Sequence, residues 1–351
     1  MLIHKNFVGG NIVVKEMVGD TVYLENELRD TEIDWFYWAF CVEGAQGKTV
    51  TFKMQKNRVG YFGPAVSHDL KEWHWLENCN GEEFTYTFGE DESKVYFAHD
   101  MLYHPDRFLE FAEKMGLKVD TLCTSRKGRA TPCVTLGEGR LSILLTARHH
   151  ACEATGSYVL EGVLEELADS PIEDCTVFCV PFVDYDGVVD GDQGKSRAPH
   201  DQNRDYALNE ASIYAETAAI REYADKKGCN LAFDFHSPWH KGGRNDWVFI
   251  VQTLPERVER LNLFGNILEG KITPDAMGYK KSNDIAPYTE WNNPSSQIWR
   301  YMTARPECDV AFTLETAYFG TEDNKVSQAK LIELGHCFAR AIKTYIKERN
   351  L

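Results

Sequence analysis

The stretch that most constrains this chain is residues 141–162, LSILLTARHHACEATGSYVLEG. Ile143, Leu144 and Leu145 are consecutive apolar residues and predict a buried strand. Further on the period changes, and Val159, Leu160, Val163, Leu164 and Leu167 share one helical face. His149, His150 and Glu153 stand between, so His150-x-x-Glu153 falls where a central strand ends and a helix begins. Residues i and i+3 of a helical turn lie side by side, and an imidazole and a carboxylate there can grip one metal ion. The same spacing also suits a helix-start glutamate beside a core histidine. The rest of the chain must decide.

Residues 1–103 read as a small all-β sandwich domain. DWFYWAFCV (34–42) is apolar on both faces, as a strand inside a sandwich must be. Residues 49–54 alternate, with Val50, Phe52 and Met54 on one side, and 84–88 and 94–97 repeat the pattern between Gly/Asn/Asp clusters. Trp35, Trp38, Trp73 and Trp75 are expected in that core rather than on a ligand-binding face. From His104 the pattern changes. Pro105 opens a helix with Phe108, Phe111, Ala112 and Met115 on one face, and Gly116 stops it. Strands at 134–136, 142–146, 176–181, 231–235 and 310–314 then alternate with helices at 155–168, about 208–226 and about 326–347. That order predicts an α/β domain over residues 104–351, a sheet flanked by helices on both faces. The Pro- and Gly-bearing segment 270–305, including Pro294, reads as a long loop lining a site.

Charge narrows the partners. Lys and Arg number 38 against 54 Asp and Glu, a net charge of −16, which disfavours nucleic acid and anionic membrane. No run reaches membrane-spanning length, and the N-terminal residues lack an apolar secretory core. The ten cysteines form no CxxC and no tight framework; reduced thiols in a cytoplasmic protein are expected, with Cys175 and Cys179 in the core.

Each later strand end delivers polar groups. The strand at 176–181 leads to Asp184 and then to Asp201-Gln202-Asn203-Arg204; LAFDF ends in His236-Ser237; the strand at 310–314 ends at Glu315. Ligands of open α/β sheets bind beyond the carboxyl ends of strands. His150, Glu153 and His236 make a two-imidazole, one-carboxylate set that leaves zinc an open position for water, and Glu315 is a carboxylate suited to act as general base.

With these residues in this order, the chain resembles the zinc metallocarboxypeptidases, specifically the cytosolic carboxypeptidase-like branch, over nearly its whole length. TARHHACEATGSYVLEG resembles that branch's first zinc motif, which implies His150 and Glu153 as ligands of one Zn2+ per chain. FDFHS implies His236 as the third ligand, and FTLETAY implies Glu315 as the catalytic glutamate. DQNRDY implies Asn203 and Arg204 as the pair holding the substrate's terminal carboxylate. DWFYWAF and KVYFAHDMLYHPDRF resemble the β-sandwich preceding the catalytic domain of this branch, and LCTSRKGRATPCVTL its first strand pair. Two positions depart from the pattern. Ala151-Cys152 replaces Pro-Gly within the first motif. The arginine that polarises the scissile carbonyl is expected ten residues before Arg204, where Gly194 stands. Lys195 and Arg197 are the candidate replacements: Arg197 has the rigid fork, whereas Lys195 is closer in alignment.

The resemblance implies a zinc exopeptidase acting on the C-terminus of a peptide or protein, with Asp201 orienting His150 or serving as a helix cap. A zinc amidase or deacylase acting on a small acylamino acid or cell-wall peptide would use the same ligands, and a non-catalytic binding protein could keep the fold. Arg148, Lys195, Arg197, Arg204, Lys241 and Arg244 surround the expected cleft and suggest acceptance of Glu or Asp termini. A cis bond is expected at Ser237–Pro238.

Overall fold

The computed structural model describes residues 1–351 except Asn78 and Pro294, so Pro294 of the turn-rich segment lies outside the described residues. Seven strands form the sheet that carries the site. In spatial order they are Val119–Thr124, Ala130–Leu136, Cys175–Val180, Leu141–Ala147, Leu231–His236, Val310–Glu315 and Phe249–Val251. The four from Cys175–Val180 to Val310–Glu315 run parallel and the outer pairings are antiparallel, which makes the sheet mixed.

Successive side chains of a strand point to opposite faces, so wholly apolar strands need cover on both sides. Ile143, Leu145, Phe233 and Leu314 pack with Val159, Val163, Phe264 and Phe338 in one core. Leu144, Ala232 and Ala311 pack with Ile220, Trp299 and Met302 in another. Helices Thr155–Asp169, Val258–Lys271 and Gln328–Arg349 therefore cover the first face, and Ala215–Lys227 and Ile298–Thr303 the second.

The N-terminal region is a pair of sheets. Strands Leu2–His4, Ala39–Glu43, Lys94–Ala98, Ala65–Ser67 and His74–Trp75 make one; Val13–Val18, Thr21–Glu25, Thr49–Met54 and Glu83–Thr87 make the other. Phe40, Val42, Val95 and Phe97 face Val22, Leu24, Val50, Phe52 and Phe84 across the sandwich, with Trp38 in the same core. Ala39, Ala65 and Ala98 point the other way and, with Trp35, Phe36 and Tyr37, join the core of the α/β region. The two regions thus share continuous apolar packing.

Three expectations are corrected here. Residues 34–38 are not strand; only Ala39–Glu43 is. The backbone at Tyr37 instead exchanges hydrogen bonds with the side chain of Gln193, at 2.9 Å to Oε1 and 2.8 Å from Nε2. The helix expected from about 208 begins at Ala215, because the Asp205 carboxylate accepts the N–H groups of Ile213 and Tyr214 and holds the chain extended before it. The segment 270–305 is not wholly loop, since Ile298–Thr303 is helical and buries Ile298, Trp299 and Met302. Of the four tryptophans expected in the sandwich core only Trp38 lies there; Trp35 and Trp73 are buried in the core of the α/β region, and Trp75 is half-buried against it, because residues 35–37 and the strand ends at 73–75 face that region.

Candidate active site

Parallel register aligns the strand ends. Phe235 lies opposite Ala147, and His236 lies opposite Glu315. After Ala147 the chain reverses at Arg148, whose φ is +63°; its carbonyl accepts Asp184 N–H at 2.9 Å, and its buried guanidinium donates to Ala151 O at 2.8 Å. That turn, closed by Glu153 N–H to His150 O at 3.2 Å, brings the two side chains together. His150-x-x-Glu153 therefore sits in a turn ahead of the helix that starts at Thr155, not inside it.

The side chains converge. His150 Nδ1 is 2.8 Å from Glu153 Oε1, and His236 Nδ1 is 2.6 Å from Glu153 Oε2; one ligand atom of each residue lies within 4.8 Å of the others. The far ring nitrogens meet further carboxylates: His236 Nε2 lies 2.6 Å from Asp234 Oδ2, and His150 Nε2 lies 3.7 Å from Asp201 Oδ1. Asp234 also meets His149 Nδ1 at 2.8 Å and accepts from Thr146 Oγ1 at 2.8 Å, and His149 Nε2 meets Tyr206 Oη at 2.8 Å. Two imidazoles and a carboxylate with outer carboxylates behind them form a donor set that fits a divalent metal, and an unpartnered buried His150 Nε2 beside an unpartnered Asp201 Oδ1 agrees with an incomplete charge arrangement there.

The electrostatics match. Burial would raise Glu153, but His150 and His236 hold its carboxyl well below the usual range; burial would raise Asp234, but His149 and His236 do the same to it. His236, between the two carboxylates, is held well above its ordinary value although burial opposes the charge. Glu315 behaves differently. Burial pushes it up to about 7, His236 opposing and Glu153 adding, and its Oε2 has no hydrogen-bond partner.

A cavity of about 270 Å³ opens beside the cluster, lined by His150, His236, Glu315, Lys195, Asn203 and Arg204, and further out by Val251, Trp291, Asn292, Asn293, Ser295, Gln297, Trp299 and Thr313. Arg204 Nη1 and Asn203 Oδ1 are buried without partners. Lys195 Nζ lies 3.4 Å from His150 Nδ1 and 3.9 Å from Glu153 Oε1.

No family model matches the chain. An uncharacterized protein from Zymomonas mobilis is 29% identical over 255 residues, 67% of each chain. Cytosolic carboxypeptidase 2 from Xenopus tropicalis is 25% identical over 319 residues, 79% of this chain; the chain spans about a third of that relative's length, 32% of it being aligned. A metallo-carboxypeptidase from Burkholderia cenocepacia superposes with a TM-score of 0.79 at 20% identity, covering 99% of both chains. One from Pseudomonas aeruginosa, in complex with (2-guanidinoethylmercapto)succinic acid, gives 0.79 at 21% identity over 99% of this chain and 100% of that one. The chain has the metallo-carboxypeptidase fold.

Within that fold the two candidate cations part. Lys195 reaches the cluster, and Arg197 does not. Its guanidinium lies 3.1 Å from Asp30, 2.6 Å from Asp184 and 3.0 Å from Asp192, a buried cage that takes all three nitrogens. The absence of the usual arginine has a steric reason: at Gly194, with φ +75°, a Cβ would lie 2.1 Å from Ala151 N, in the turn that carries His150. Asp201 faces His150 and accepts Ser196 N–H at 3.0 Å, and makes no side-chain cap of the short helix Gln202–Arg204. Among the described residues the one cis bond is Ala198–Pro199; Ser237–Pro238 is trans, the form favoured by about 0.5–1 kcal/mol for an X–Pro bond. Asp234, His149 and Tyr206 join the cluster through hydrogen bonds that no sequence motif marks. A charge at Asp234, two residues before His236 and so on the same strand face, was the available signal. Asp30 comes from the distant β-rich region with no motif beside it, and Trp35, expected in the sandwich core, lies instead beside Lys195.

Proposed function

We propose that this chain is a zinc-dependent carboxypeptidase that hydrolyses the last peptide bond of a peptide or protein tail. The observation that carries this reading is one cavity lined by His150, His236 and Glu315 beside Asn203 and Arg204, with the Glu153 carboxylate bridging the two imidazoles. Zinc held by His150, Glu153 and His236 would supply the Lewis acidity that lowers the pKa of water and polarises a carbonyl. Glu315, raised by burial and with an oxygen free of hydrogen bonds, takes the proton from the attacking water and delivers it to the departing amine. Arg204 holds the terminal carboxylate through its buried Nη1, which has no partner within the protein, and Asn203 adds a donor from its amide nitrogen. Lys195 Nζ supplies positive charge to the carbonyl oxygen, in the role for which position 194 has no room. Asp201 and Asp234 orient the two imidazoles.

The carboxylate clamp favours substrates with a free terminal carboxylate, which a peptide terminus and an acylamino acid share, so turnover must be compared between peptides and acylamino acids. Release of C-terminal residues from a panel of dipeptides and blocked peptides by metal-loaded protein tests this; activity on carboxamide-capped peptides equal to that on free acids would count against the clamp. The expected preference for acidic termini rested on six cations, and the structure leaves it two. Arg148 donates to Ala151 O and Tyr103 O, Arg197 is caged, Lys241 donates to Val59 O at 2.7 Å, and Arg244 pairs with Glu290 at 2.6 Å. Lys195 and Arg204 are assigned to the substrate backbone, so the outer wall is uncharged and suits an uncharged C-terminal side chain. We place the protein in the cytoplasm, a reading supported by ten free thiols; among the described residues no helix is long and apolar enough to cross a membrane.

A further inference from the structure

Lys195 sits on a loop, and a loop lysine with four rotatable side-chain bonds ordinarily spreads over many rotamers. Here the residues on either side of it hang on a segment from the β-rich region. The Asp30 carboxylate accepts Gln193 N–H at 3.0 Å and Gly194 N–H at 2.8 Å. The Gln193 side chain answers by donating to Tyr37 O at 2.8 Å and Glu27 O at 3.1 Å. Beyond the lysine, Ser196 O accepts Glu32 N–H at 3.1 Å. The ammonium itself lies 5.2 Å from the centroid of the Trp35 ring, on the way to His150 and Glu153. Trp35 is fixed in turn: it is 6% exposed, stacks on Phe36 at 4.8 Å, meets Trp239 edge-on at 4.9 Å, and its carbonyl accepts Asn26 Nδ2 at 2.9 Å.

We propose that Asp30 and Trp35 are positioning residues for Lys195, Asp30 fixing the loop backbone and the Trp35 ring face aiming the ammonium at the metal-binding cluster. The β-rich region is thereby a wall of the catalytic apparatus. This rests on the carboxypeptidase reading, in which Lys195 receives the developing charge of the carbonyl oxygen.

The test uses the full, metal-loaded chain. Trp35→Leu keeps apolar bulk and removes the ring face, and Trp35→Phe keeps a ring. Trp35→Leu should lower kcat about 10-fold with KM within about twofold and metal content unchanged, and Trp35→Phe should recover most of the loss. By calorimetry, a peptide phosphonate that mimics the oxyanion should bind Trp35→Leu about 10-fold more weakly, while the free product amino acid binds as to wild type. In a Lys195→Ala background, Trp35→Leu should cost nothing further. Asp30→Asn provides a second variant with the same expected dependence on Lys195, should Trp35→Leu fail to fold. Equal losses in the presence and absence of Lys195 would overturn the positioning role. If Lys195→Ala left kcat unchanged while Glu315→Gln abolished turnover, the inference would fall and the carboxypeptidase reading would stand; if neither mattered, that reading would fall as well.

Discussion

The strand-end cluster and the loop 192–204 meet at the same cavity but are held by different physics. His236 and Glu315 are opposite one another in a parallel ladder, inside strands buried on both faces, so their separation is set by backbone pairing. The loop has no ladder. Its geometry depends on polar contacts: Asp30 under Gln193 and Gly194, and three carboxylates around Arg197. Two cations two positions apart on the same loop are therefore held differently: Lys195 faces the cavity, whereas Arg197 is a rivet for the loop. Ladder-set residues tolerate little change without loss of chemistry, whereas loop-set residues divide the cost between chemistry and stability.

The largest effect should come from the ladder. Glu315→Gln should lower kcat about 10³–10⁴-fold with the metal still stoichiometric by elemental analysis. His236→Ala should lose the metal itself. A Glu315→Gln protein near wild-type activity would remove the base from its assigned role.

Lys195→Ala should cost about 10²–10³-fold in kcat, as loss of an oxyanion donor does, with metal retained. Arg197→Ala should act on the fold instead. Removing one partner of a buried charge cluster costs about 3–5 kcal/mol, so denaturant unfolding should shift strongly while kcat falls less than in Lys195→Ala. If Arg197→Ala matched the Lys195→Ala loss in kcat at unchanged stability, the contrast between the two cations would be reversed.

The outer cavity wall offers a smaller, sharper comparison. Peptides ending in uncharged residues should be cleaved about 10-fold or more faster than those ending in Glu or Lys, because a charge desolvated there meets no counter-charge. Equal or faster cleavage of Glu-terminated peptides would restore the acidic preference expected from the sequence.

The smallest effect concerns the cage. Burial pushes the Asp184 carboxyl up to about 7, against the pull of Arg197 and with Asp192 adding to it. Its folded value lies above the unfolded one, so its contribution to stability is complete below about pH 4 and is lost as pH rises through about 7. Asp184→Asn imitates the protonated form. It should melt close to wild type at about pH 4 and a few degrees higher at about pH 8.5. A melting difference that did not change between those two pH values would place the proton elsewhere.

The order of motifs was legible in the sequence because strand ends are legible. Apolar runs such as Ile143–Leu145 need burial on two faces, and polar groups can follow them only at an edge of the sheet; His150, Glu153, His236 and Glu315 all stand at such edges, so their convergence follows from parallel register. The turn between that strand and helix, which presents His150 and Glu153, depends on the buried guanidinium of Arg148 and on a positive φ that spacing does not reveal. The division of labour between Lys195 and Arg197 was beyond the sequence for the same kind of reason. It is set by Asp30, some 160 residues away along the chain, by Asp184 and Asp192, and by the ring of Trp35. Local pattern determines which residues end a strand; only long-range packing decides which loop charge is neutralised by the protein and which is left facing the cavity.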